Sequence, residues 1–132
     1  MSVRITPFLR AVFTADALFS AVAAVAFLLG SGFIAGLTGI PQPLLFWAGV
    51  ILVPYAALLV IVGRRETAPR LVMIDIVAIN LLWAAASLGL LATGAISPNA
   101  LGIAFDIIQA TAVAGFGALY AAGMRQEGRV EA

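Results

Sequence analysis

Four long runs of apolar residues, parted by short segments rich in glycine, proline and arginine, make up most of the chain. They cover about 8–30, 44–62, 69–93 and 98–124. Each is roughly 19 to 27 residues long, and about 20 residues cross ~30 Å of hydrocarbon at 1.5 Å per residue. Apolar and polar positions do not alternate along them, as they would in the ten-residue strands of a membrane barrel. The pattern predicts an all-α polytopic membrane protein: one domain over 1–132, with four transmembrane helices in an up-down bundle.

The boundaries follow from turn chemistry. The stretch Ser31 to Pro43, with Gly32, Gly36, Gly39, Pro41 and Pro43, is expected to end the first span. Its apolar part, Gly32 to Leu37, suits a short turn of helix on the membrane surface. Gly63-Arg64-Arg65 closes the second span. Thr67 reads as an N-cap with Pro69 in the first turn, and Ser97-Pro98 repeats the device before the fourth span. Gln126 to Ala132 reads as a short, frayed polar tail. Arg4 and Arg10 ahead of an apolar, Ala-rich run imitate a signal peptide, but the segment is read as the first span. Offsetting the chain by 64 aligns Asp16 with Asn80, Phe19 with Trp83 and Gly30 with Gly94. Offsetting by 60 aligns Gly63 with Gly123 and Arg65 with Arg125. Apolar runs match one another easily, so this weak repeat reads as shared membrane composition, with a parallel duplication of one helical hairpin as the alternative.

Composition sharpens the class. The chain is 64% hydrophobic and 10% charged, with a mean hydropathy of +1.15, where a soluble domain is about a quarter charged. All seven basic residues are arginine. Arg4 and Arg10 precede the first span, Arg64, Arg65 and Arg70 separate the second from the third, and Arg125 and Arg129 follow the fourth. The other two connections carry no charge. Basic residues favour the cytoplasmic side, so both termini are expected there, in a multi-pass protein of a bacterial inner (plasma) membrane. Cysteine and histidine are absent, which argues against a disulfide framework and against haem or zinc held by thiolate or imidazole. No cofactor is expected, although a quinone or lipid fits such a chain.

Polar residues within the spans are the candidates for function, because a charge at mid-bilayer costs about 2.5–3.5 kcal/mol on insertion scales. Asp16 lies six residues past Arg10 and Asp75 five past Arg70, each about 8–9 Å deeper than its arginine. The favoured reading pairs them with inner-face arginines, Asp16 with Arg70 or Asp75 with Arg10. A carboxylate pair facing a cavity is the alternative. Asp106 lies about 13 Å from the outer start of its span, with no arginine on that side. It belongs to the row Gly102, Asp106, Ala110, Ala114, Ala118, Ala122, whose small residues let another helix approach. Asp106 and Gln109 share a face, with Asn80, Trp83 and Ser87 as partners on the third span. The bland version has a protonated Asp106 donating to an amide; the sharper one makes it a proton or ligand site. Pro54 should kink the second span and free the carbonyl of Val50, leaving Tyr55 to repair the defect or line a polar cavity. Trp47 reads as an interfacial anchor and Trp83 as core or cavity wall.

Three functions suit these residues. The first is a non-catalytic bundle, serving as an accessory or assembly subunit or binding an apolar ligand. The second is a small oligomeric transporter coupled to protons through its intramembrane aspartates. The third is a redox-complex subunit that holds a quinone through Asn80, Gln109 or Tyr55. The implied partners are the lipid bilayer and further copies of the chain or a larger membrane complex, with no nucleic acid. In length and architecture, over its whole extent, the chain resembles the small four-helix bacterial inner-membrane proteins of the DoxX-like kind. That resemblance implies service to quinone-linked complexes and carries over no functional residue. The small multidrug-resistance transporters differ in motif: their hallmark is a glutamate in the first span, where this chain has Asp16 between Ala15 and Ala17.

Overall fold

The structure, a computed structural model, describes residues 2–131, with side chains up to Gln126. Expectations for the polar tail and for Arg129 therefore fall largely outside the described side chains. The described residues form four helices: α1 (Pro7–Thr38), α2 (Gln42–Gly63), α3 (Arg70–Ala92) and α4 (Ala100–Glu131). All four are long and apolar enough to cross a membrane, α4 through its stretch Ala100–Gln126. Two three-residue strands join them, β1 (Ser2–Arg4) and β2 (Thr67–Pro69). They pair antiparallel with Val3 opposite Ala68.

The ribbon corrects the expected start of the third helix. Ala68 precedes a proline and is biased toward extended backbone, and the N-terminal arm offers it a partner. Thr67 therefore pairs with Arg4 instead of capping a helix, and α3 begins only at Arg70. The first loop is also shorter than expected. Helix α1 bends at Gly30, whose φ of −121° and ψ of 19° leave the helical region, then continues to Thr38. It ends at Gly39, where a φ of 74° provides the left-handed C-cap and the amide donates to Ala35 O.

At the far end Asn99, not Ser97, caps α4. Its Oδ1 accepts from the Gly102 amide at 2.9 Å. Its own backbone N–H donates to Thr38 O (3.0 Å) and its Nδ2 to Leu37 O (2.8 Å). An amide side chain can accept and donate at once, so it caps one helix while satisfying the terminal carbonyls of another.

Helix α1 packs against α2 and α4, and α4 packs against α3, while α2 packs closely on neither α3 nor α4. Glycines set the closest approaches. A Cβ on Gly63 would lie 2.8 Å from Phe13 Cβ, one on Gly49 would lie 2.9 Å from Phe27 Cβ, and one on Gly123 would meet Leu9. The apolar core is concentrated near the ribbon, where Val3, Ile5, Leu9, Phe13, Leu59, Met73, Ile76 and Tyr120 are buried together. Large apolar side chains cover the outside of every helix, among them Leu29, Phe33, Ile51, Leu82 and Ile108. The buried set, by contrast, includes Asp16, Ser20, Asn80 and Asp106. Polar groups inside and apolar groups outside suit a lipid surrounding.

Candidate functional site

Between α2 and α3, beyond the close-packed end, lies a cavity of about 1080 Å³ walled by residues of all four helices. Its lining is apolar, with Phe19, Phe27, Phe105 and Phe116 prominent, apart from Asp16, Ser20, Tyr55, Asn80, Trp83 and Gln109. Pro54 lies in the wall beside Tyr55, and α2 runs unbroken through it.

The polar residues form two hydrogen-bonded groups. In the first, Asp16 is the acceptor. Tyr120 Oη donates to its Oδ2 at 2.8 Å, Tyr55 Oη to the same oxygen at 3.3 Å, and Ser20 Oγ to Oδ1 at 3.3 Å. Asn80 Nδ2 donates to Tyr55 Oη at 2.6 Å and to the Ile76 carbonyl at 2.8 Å. The Asn80 bond leaves the Tyr55 hydroxyl hydrogen free to point at Asp16, so the chain Asn80 to Tyr55 to Asp16 has one direction. This group ties all four helices together. In the second, Trp83 Nε1 donates to Gln109 Oε1 at 3.0 Å, and Gln109 Nε2 donates to Asp106 Oδ1 at 2.8 Å and to Asp106 O at 3.2 Å.

Several expectations change here. Asp16 is 2% exposed, and its described partners are hydroxyls rather than an arginine. Arg10, proposed as a partner for Asp75, instead donates through Nε to Gly63 O (3.2 Å) and through Nη2 to Arg65 O (3.2 Å). A cation suits those positions because the last carbonyls of a helix lack internal donors. Asp75 lies exposed on α3. Equal depth had suggested the pairs, but depth does not set the direction in which a side chain leaves its helix.

Asp106 and Gln109 do meet Trp83 of α3, whereas Asn80 joins the Asp16 group. The direction of the Asp106 bond is the reverse of that expected. Gln109 uses its oxygen to receive the indole N–H, which turns its NH₂ toward Asp106, so the carboxyl accepts. Asp106 is 6% exposed, and its Oδ2 has no hydrogen-bond partner among the described residues. It is absent from the cavity wall, and Asp16 is the aspartate found there. Tyr55 bonds to Asp16 of α1 and Asn80 of α3 and not to Val50. Tyr120 and Ser20 were not singled out in the sequence. Ser20 had a signal, since it lies four residues past Asp16 on one helix face.

The row of small residues on α4 holds for only part of its length. Gly102, Asp106 and Ala110 are buried, Ala118 and Ala122 are exposed, and Gly117, Tyr120 and Gly123 take over the interior. Steps of four advance about 40° around a helix of 3.6 residues per turn, so the row rotates out of the interface.

No family model, curated protein or solved structure matches this chain.

Proposed function

We propose that the chain is a multi-pass protein of a bacterial inner membrane, its helices forming an up-down bundle with both termini cytoplasmic. Its cavity binds an apolar ligand, a lipid or a quinone-like molecule, and the protein acts as a non-catalytic binding or accessory subunit. One observation carries this reading: a cavity of about 1080 Å³, apolar except for polar side chains that hold one another in place. Sites for small molecules commonly measure about 300–1,000 Å³ and combine apolar walls with a few fixed polar groups. The arrangement of the arginines supports the orientation, and the apolar exterior supports the membrane. The likeness to DoxX-like proteins in length and helix number agrees with an accessory role.

The chain contains two tryptophans, and only Trp83 lines the cavity, while Trp47 is 60% exposed. Trp47→Phe therefore leaves one reporter at the site. In lipid nanodiscs, a brominated long-chain lipid should quench Trp83 saturably, and Ala23→Leu, which narrows the cavity, should weaken that quenching at least about tenfold, the equivalent of ~1.4 kcal/mol. Quenching that never saturates and is identical in the two proteins would refute ligand binding in the cavity.

A further inference from the structure

The hydrogen bonds along the cavity wall are one-sided. Asn80 Nδ2 spends both its hydrogens, on Tyr55 Oη and on the Ile76 carbonyl. A carbonyl can only accept, so this contact fixes the amide orientation and makes Oδ1 the unengaged end. The hydroxyl hydrogens of Ser20 and Tyr55 go to the Asp16 carboxylate. The Trp83 N–H goes to Gln109, and both Gln109 N–H groups go to Asp106. Every polar side-chain hydrogen on the wall is committed within the protein.

Acceptors are left over. Among the described residues no donor reaches Asn80 Oδ1, and Asp16 Oδ1 and Gln109 Oε1 receive one donor each. Amide and carboxylate oxygens have capacity for two or more. An acceptor left unfilled away from water costs about as much as a lost hydrogen bond. The four phenylalanines can enclose an apolar body, and they tolerate a cationic head at their ring faces.

We infer that the cavity selects ligands whose head group donates hydrogen bonds, a hydroxyl or an N–H-bearing ammonium, over ligands whose head only accepts; of a quinone-like molecule it takes the hydroxyl-bearing reduced form. This rests on the cavity being a binding site, as proposed above. A neutral alcohol and a primary amine share the chemistry, and a test with both separates donation from charge.

The test uses four ligands with one dodecyl chain: dodecanol, dodecyl methyl ether, dodecylamine and dodecyltrimethylammonium. Each is titrated into the Trp47→Phe protein in nanodiscs, with Trp83 emission read against mole fraction in the bilayer so that partitioning cancels. Dodecanol should bind about tenfold tighter than the ether, the worth of roughly one well-made hydrogen bond. Dodecylamine should exceed the trimethylammonium ion by a similar factor. Asp16→Asn puts N–H donors into the wall and should shrink the alcohol-over-ether ratio. Equal binding of alcohol and ether overturns the donor preference and leaves the cavity reading standing. Equal binding of the two cations, both above the alcohol, overturns it in favour of charge. Absence of a saturable signal from all four removes the cavity reading and this inference together. The comparison in the protein without Asp16→Asn decides the matter even if that variant fails to fold.

Discussion

Asp16 carries the most concentrated polar chemistry in the chain, receiving hydroxyls from α1, α2 and α4 and, through Tyr55, the amide of Asn80 on α3. Tyr120 makes the shortest of its contacts while its ring stacks at a tilt on Phe13, with centroids 4.9 Å apart. Tyr120→Phe keeps the ring and removes only the hydroxyl. It should cost about 1–3 kcal/mol, the range for leaving a buried acceptor without its donor, read by thermal unfolding in mixed micelles. A loss below ~0.5 kcal/mol would show that this bond does not hold the helices together. Asn80, Tyr55 and Asp16 were legible in the sequence as polar residues with no natural place in lipid. Tyr120 was not, because a tyrosine near the end of a span reads equally well as an interfacial residue. Residue counting gave Asp16 and Asp75 the same depth but could not reveal that one faces inward and the other outward.

The helices themselves were legible because runs of about 20 apolar residues admit few other solutions. Their ends were less so, since they depend on partners distant in sequence: Asn99 caps α4 because α1 ends beside it, and Thr67 is extended because Arg4 pairs with it. Asp16 and Asn80, aligned by the 64-residue offset, converge on the same Tyr55 hydroxyl. The hairpins α1–α2 and α3–α4 are both closely packed. Glycines on α4 provide a direct test of the interface. A Cβ at Gly102 would run into the Thr38 carbonyl and Pro98, whereas one at Gly115 meets nothing within 4 Å. Gly102→Ala should destabilise by roughly 1–3 kcal/mol. Gly115→Ala should be neutral or stabilise by up to about 1 kcal/mol through helix propensity. Equal melting temperatures for the two variants would contradict the close α1–α4 approach.

Across the four helices, the core near the ribbon gives way to the cavity at mid-length, with the Asp16 group where they meet. The orientation proposed from the arginines can be tested directly because the chain has no cysteine of its own. Glu66→Cys, in the α2–α3 connection, should react with an impermeant maleimide only after the cells are opened. Ala95→Cys, in the α3–α4 connection, should react in intact cells. The opposite result would invert the protein in its membrane. The ribbon, finally, bears on how the chain is assembled. Ser2–Arg4 leaves the ribosome well ahead of its partner, Thr67–Pro69, which follows only after α1 and α2 have been made. The strand β1 can therefore meet β2 only after two helices have been inserted. The ribbon is a clasp fastened late, and it holds Ser2–Arg4 beside the entrance to α3.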